Sequence, residues 1–171
     1  MNTTPPKENQ ISIFIKRNVK SINLAEIISF MIFASGFLFF LFNINTLKFF
    51  IVIGSVLLAI VYFLKSYQIF NAPVGSVDSF FNSAAFYTFI NKVACYSFAI
   101  TSITMLSLVF KTINTYTFTI ILIPCYLIII IFTLISNLKN AQTVFSFSFY
   151  LKIVIAFLFL LFAAFRAGTL I

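Results

Sequence analysis

Five long apolar stretches, separated by short polar connections, occupy most of this chain, and they limit what it can fold into. A bilayer hydrocarbon core about 30 Å thick is crossed by roughly 20 apolar residues of α-helix. The pattern therefore predicts an all-α integral membrane protein with about five transmembrane helices. We place the spans at residues 24–42, 49–64, 93–110, 118–136 and 149–165. The fifth is interrupted by Lys152, so a four-span version is the alternative.

The composition agrees with a membrane protein. The chain is 62% hydrophobic, with a mean hydropathy of +1.13, above the half-apolar composition that is typical of soluble domains. Phenylalanine accounts for 26 of the 171 residues and tryptophan is absent. A soluble fold of this length could not bury so much apolar surface, so lipid is expected to cover the outside.

The charges predict an orientation. The formal net charge is +8, and we attribute it to interaction with anionic lipid head groups rather than with nucleic acid, because the basic residues lie at the ends of the apolar stretches. An N-terminus inside the cell leaves only three of the 11 basic residues outside, namely Lys48, Lys111 and Arg166. The positive-inside rule thus favours a bacterial cytoplasmic membrane protein with its N-terminus in the cytoplasm.

The polar segments divide the chain into two parts. Residues 1–23 form a cytoplasmic, polar and basic N-terminal segment, and residues 24–171 form the polytopic membrane domain. The long connection 66–91 is cytoplasmic and carries apolar residues at helical spacing. It is either an interfacial helix or an extension of the third span, and the extension is the preferred interpretation.

An internal match suggests that the first four spans are two repeated helical hairpins. A shift of about 69 residues aligns Ile44-Asn45-Thr46 with Ile113-Asn114-Thr115, and it superimposes several apolar residues of the second and fourth spans. The alternative is convergence of two hairpins built from few residue types. Under the repeat hypothesis, the bundle consists of two repeated hairpins plus one helix.

Glu26 is the only acidic residue near a predicted span. An acid inside a membrane indicates a proton or cation path by default. However, the Asn23-x-x-Glu26 spacing at the start of the first span is typical of a helix cap, with Lys20 close by. We interpret Glu26 as part of this cap.

The third span carries a stripe of hydroxyl side chains on one helical face. Packing against a neighbouring helix is the preferred interpretation, and Pro124 in the fourth span supports it because it frees the carbonyl of Ile120 for a cross-helix hydrogen bond from Ser107. The alternative is a polar pathway for a solute. The stripe consists of Ser97, Thr101, Thr104 and Ser107.

Small residues mark two further candidate packing sites. Gly36 and Gly54 lie at matching depths in the first two spans, which predicts close approach of the two backbones. Ala163 and Ala164 form a second small patch in the fifth span. The sequence shows no partner for that patch within the chain, so we expect it to contact another subunit.

The inventory of reactive residues is short. The chain has no histidine, three acidic residues and two cysteines, Cys95 and Cys125, which we expect to be too far apart in depth for a disulfide. No catalytic Ser-His or Cys-His pair and no histidine-containing zinc site can be built from these residues. We therefore expect no enzymatic activity, no cofactor and no metal.

The leading functional hypothesis is a non-catalytic accessory, anchoring or assembly subunit that acts through helix packing, either as a homo-oligomer or with a membrane-protein partner. A small oligomeric permease or channel, with the hydroxyl stripe along its pathway, is the first alternative. A membrane-perturbing effector is the second, because small basic polytopic proteins include such effectors.

Overall fold

The computed structural model describes residues 10–42, 48–70, 83–110, 115–139 and 145–168, and α-helices are the regular secondary structure of these ranges. Six helices follow one another within these described ranges. They are α1 (Gln10–Arg17), α2 (Val19–Leu41), α3 (Phe49–Lys65), α4 (Ala84–Val109), α5 (Thr115–Lys139) and α6 (Phe147–Gly168).

Four of these helices, α2, α4, α5 and α6, are long and apolar enough to cross a membrane, as expected for a multi-pass membrane protein. The remaining apolar helix, α3, has 17 residues and is shorter than this length. The helical fold class is thus confirmed, with four long candidate spans rather than five.

Helix boundaries differ from the predicted ones at two places. α2 begins at Val19, so the predicted boundary between residues 23 and 24 lies inside a helix. α4 begins at Ala84, nine residues before the predicted start of the third span. Residues 71–82 of the connection, and most of the Ile44-Asn45-Thr46 and Ile113-Asn114-Thr115 match, lie outside the described residues.

α4 is the central helix of the bundle. In the most apolar 18-residue segment of each helix, 61% of the residues of α4 are buried, compared with 22% for α2, 28% for α5 and 22% for α6. It packs against α3, α5 and α6, while α2 packs on α3 and α1 folds back onto α2 and α3. The faces of α2, α5 and α6 that point away from α4 carry most of the exposed apolar side chains.

α2 and α3 approach each other closely at two glycines. A Cβ atom at Gly36 would lie 2.6 Å from the Cα atom of Ile51, and one at Gly54 would lie 2.5 Å from the Cα atom of Phe33. Real side chains do not tolerate such distances, so only glycine allows this backbone contact. The two glycines therefore set the distance between α2 and α3.

The matched positions of the proposed repeat occupy different environments. Ile51 and Leu58 on α3 are fully buried, whereas Ile120 and Leu127, their counterparts on α5, are about half exposed. In a repeat with equivalent packing, both members of each matched pair would be buried or both would be exposed. The repeated hairpin remains a prediction.

Candidate functional site: an ion triad and a cleft

The most unusual feature inside the bundle is a cluster of three charged side chains from three helices. Glu26 of α2 accepts from the Lys65 ammonium of α3, and its Oε1 atom lies 2.6 Å from Nζ of Lys152 on α6. The Glu26 side chain is only 8% exposed, that of Lys65 13% and that of Lys152 34%. We call this cluster the ion triad, and the end of the bundle where it lies the triad end.

Local helix geometry directs the Glu26 side chain inward. Glu26 lies on the same face of α2 as Ile22, Ser29, Phe33 and Gly36, which are all buried and recur at alternating spacings of four and three residues. Polar or small residues that share one face of an otherwise apolar helix indicate the face that packs inside. The spacing of Glu26, Ser29 and Gly36 is thus the sequence signal that could have shown that Glu26 faces the interior of the bundle.

The predicted cap role of Glu26 is wrong. α2 begins at Val19 after Asn18, so Glu26 is the eighth residue of the helix, beyond the orphan amides that a cap satisfies. Its partners are Lys65 and Lys152, both distant in sequence, and the predicted neighbour Lys20 is exposed. The sequence argument failed because the helix starts earlier than the apolar stretch.

Further polar contacts tie the helices together at the triad end. The amide of Asn91 on α4 donates to the carbonyl of Lys65 at 3.0 Å, and the Ser136 hydroxyl of α5 donates to the Tyr87 hydroxyl of α4 at 3.2 Å. The Asn137 amide of α5 donates to the Tyr150 hydroxyl of α6. Each of the helices α2 to α6 therefore takes part in polar contacts at this end.

A cleft runs between α2 and α6 from the triad towards the opposite end. Residues 23–33 of α2 and 148–159 of α6 form its walls, α3 and α4 form its floor, and its volume is about 570 Å³. At the far end of the cleft, the rings of Phe33 and Phe37 pack edge-on against those of Phe159 and Phe162, with centroids 4.9 to 5.1 Å apart. This phenylalanine cluster closes the cleft at the end away from the triad.

A second cavity, of about 200 Å³, adjoins the triad. Glu26, Tyr62 and Lys152 line both cavities, so the triad stands between them. Gln68, Asn91 and Phe145 line only the smaller cavity and lie nearer the triad end. The arrangement offers charged and hydrogen-bonding groups at one end and an apolar slot at the other.

The hydroxyl stripe of α4 lies inside the bundle and takes part in packing contacts. Ser97, Thr101 and Thr104 are buried, and the Thr101 hydroxyl lies 2.7 Å from that of Tyr126 on α5. The Ser107 hydroxyl lies 2.7 Å from that of Thr115, the first residue of α5. Two of the four hydroxyls thus join α4 to α5, while Thr101 also lines the floor of the cleft.

Pro124 does not lie at a helix contact, contrary to the packing role predicted for it. It is exposed on the face of α5 that also carries Ile120, one helical turn away. The buried face of α5 is the other one, marked by Leu122, Tyr126 and Ile129. Because Pro124 has no amide hydrogen to donate to the carbonyl of Ile120, that carbonyl is left on the outward face as well.

The alanine patch of α6 has a partner within the chain. Ala163 is fully buried in the core that α6 forms with α4 and α5, and Ala164 is half-buried. The expectation that this patch faces another subunit is therefore wrong for Ala163. Small side chains here let α6 approach the rest of the bundle.

Cys95 is buried and Cys125 partly buried, and both are free thiols. Within the described ranges, no group of three histidine, cysteine or acidic side chains is arranged to hold a metal ion. No protein-family model, curated protein or solved structure matches this chain.

Proposed function

We propose that this chain is a five-span protein of a bacterial cytoplasmic membrane, with its N-terminus inside, that serves as a non-catalytic accessory, anchoring or assembly subunit. The register of the helices supports this topology, and the ion triad supports this role.

The register of α3 against α2 supports a crossing by α3 despite its length. The two helices meet where Phe33 lies against Gly54, and again through Glu26 and Lys65. These contacts are 7 residues apart on α2 and 11 on α3, or roughly 10.5 and 16.5 Å at 1.5 Å per residue, a difference that the length of a lysine side chain can span. The antiparallel helices thus run alongside each other over this distance, which supports a return of α3 through the depth that α2 traverses.

The register of α6 against α2 supports the fifth crossing. Lys152 meets Glu26, and seven residues further along both helices Phe159 meets Phe33. Helices that keep the same spacing in the same direction are parallel, so α6 follows the path of α2. Together with the charge bias, this parallel arrangement supports a cytoplasmic location for the triad end.

The ion triad is the observation that carries the proposed role. An acid within a membrane helix suggests a relay or pathway unless it is paired. Here the carboxylate is held by two lysines from two other helices, which is the arrangement expected of a structural tie. The hydroxyl stripe is likewise engaged in packing contacts, which favours a rigid bundle that acts by association over a permease.

The proposal predicts a stable complex with a second membrane protein. Gentle extraction of the chain from its native membrane, followed by measurement of the mass of the complex and identification of its components, is the test. We expect a second protein in a fixed ratio that survives two purification steps through a tag on either protein.

An equally abundant, unrelated membrane protein carrying the same tag controls for non-specific recovery. A closed homo-oligomer with no second protein would contradict the accessory role and direct attention to flux measurements.

A further inference from the structure

The α2–α6 cleft opens onto the surface that the apolar helices present to lipid. Ile27 and Met31 on its α2 wall are 61% and 62% exposed, and Leu151 on its α6 wall is 47% exposed. These apolar rims would face acyl chains in a bilayer rather than water. A ligand that occupies the cleft would therefore enter sideways, from the membrane.

The triad end of the cleft carries an excess positive charge. Two ammonium groups share one carboxylate, and Glu26 is the sole acid within the described ranges, with Glu8 and Asp78 of the sequence outside them. Lys152 is the more exposed of the two lysines, and an ammonium has three donor hydrogens, of which the contact with Glu26 uses one. The triad thus favours an anion beside Lys152.

Neutral polar groups surround that charge. Asn23, Ser146 and Ser148 line the cleft near Lys152, and both serines are exposed. The adjoining 200 Å³ cavity adds Gln68 and Asn91. Hydroxyl and amide donors around a cation are the groups that hold a phosphate or its ester oxygens.

We propose that the α2–α6 cleft binds one membrane phospholipid with an anionic head group. The phosphate lies beside Lys152 and the serines, and an acyl chain runs between α2 and α6 towards the phenylalanine cluster. The seven residues from Lys152 to Phe159 correspond to roughly 10 Å of cleft for the chain. Basic pockets between membrane helices on the cytoplasmic side are suited to such head groups, and this site goes beyond the proposed subunit role.

The test is lipid-dependent stabilisation of the purified protein in a mild non-ionic detergent. The thermal midpoint is followed while phosphatidylglycerol or phosphatidylcholine with identical acyl chains is added. Phosphatidylglycerol is expected to raise the midpoint saturably and phosphatidylcholine to raise it little, since a ligand that binds only the folded state stabilises it. Inorganic phosphate alone is expected to have no effect, because it lacks the chain.

Two matched pairs of variants locate the site. Lys152→Gln is expected to weaken phosphatidylglycerol binding about fivefold, while Lys20→Gln, at an exposed lysine on the same end, leaves it unchanged. Met31→Trp places a bulky ring in the mouth of the cleft and is expected to abolish the response. Ile28→Trp, at an equally lipid-facing position outside the cleft, preserves it.

Several results would overturn the proposal. Equal stabilisation by the two lipids would rule out selectivity for an anionic head group. A response to inorganic phosphate alone would indicate a simple anion site. A full phosphatidylglycerol response in the Met31→Trp variant would rule out the cleft as the binding site. Because Met31 is exposed, this variant tests the proposal even where Lys152→Gln disturbs folding.

Discussion

Replacement of Glu26 by glutamine is expected to lower the free energy of unfolding by about 3 to 5 kcal/mol, the usual cost of removing one partner from a buried ion pair. The variant would leave the ammonium groups of Lys65 and Lys152 close together without a counter-charge. Unfolding of the purified protein in detergent micelles, followed by circular dichroism against added denaturing detergent, measures the effect.

The controls separate the triad from a general charge effect. Lys20→Gln removes an exposed lysine of the same helix and is expected to change the stability by less than about 0.5 kcal/mol. Simultaneous replacement of Glu26, Lys65 and Lys152 by methionine is expected to restore most of the lost stability, since it removes the buried charges together. Equal effects of Glu26→Gln and Lys20→Gln would show that the carboxylate is not held by Lys65 and Lys152.

Replacement of Gly36 by leucine is expected to destabilise the protein by about 3 kcal/mol or more, at the upper end of what overpacking usually costs. The added Cβ would lie 2.6 Å from a backbone atom of α3, and a backbone cannot move aside as a flexible side chain can. The measurement is the same denaturation, together with the amount of folded protein recovered from the membrane.

The adjacent Ser35 offers a matched control, because it is exposed on the neighbouring face of α2. Ser35→Leu adds the same side chain without a contact to α3 and should leave the stability nearly unchanged. Indistinguishable stabilities of Gly36→Leu and Ser35→Leu would contradict the close approach of α2 and α3.

The helical nature of the chain could be predicted because helices in lipid need long apolar segments, and such segments are visible in composition alone. The positions of Gly36 and Gly54 at the α2–α3 contact follow from their equal distance to one loop. These are properties of single helices or of one hairpin, so the residues that determine them are close together in the sequence.

The ion triad could not be predicted in the same way, because it joins residues 39 and 126 positions apart from Glu26. Inward and outward faces are also hard to distinguish in helices that are apolar all round, since lipid-facing and buried positions use the same side chains. For that reason the sequence predicts a helix contact for Pro124 and an outside partner for Ala163, whereas Pro124 is exposed and Ala163 is buried. An acidic residue well inside such a helix, as with Glu26, is the clearer sequence indicator of the buried face.

The most direct test of the account is the sidedness of the helix ends that surround the triad. Single cysteines at Gln68, Ser148, Phe42 and Arg166 are introduced into a Cys95→Ala, Cys125→Ala background and labelled with a membrane-impermeant thiol reagent in right-side-out vesicles. Positions 42 and 166 are expected to react in sealed vesicles, whereas positions 68 and 148 are expected to react only after permeabilisation. Reaction of positions 148 and 166 from the same side would show that α6 does not cross, and would contradict a triad formed by three membrane-spanning helices.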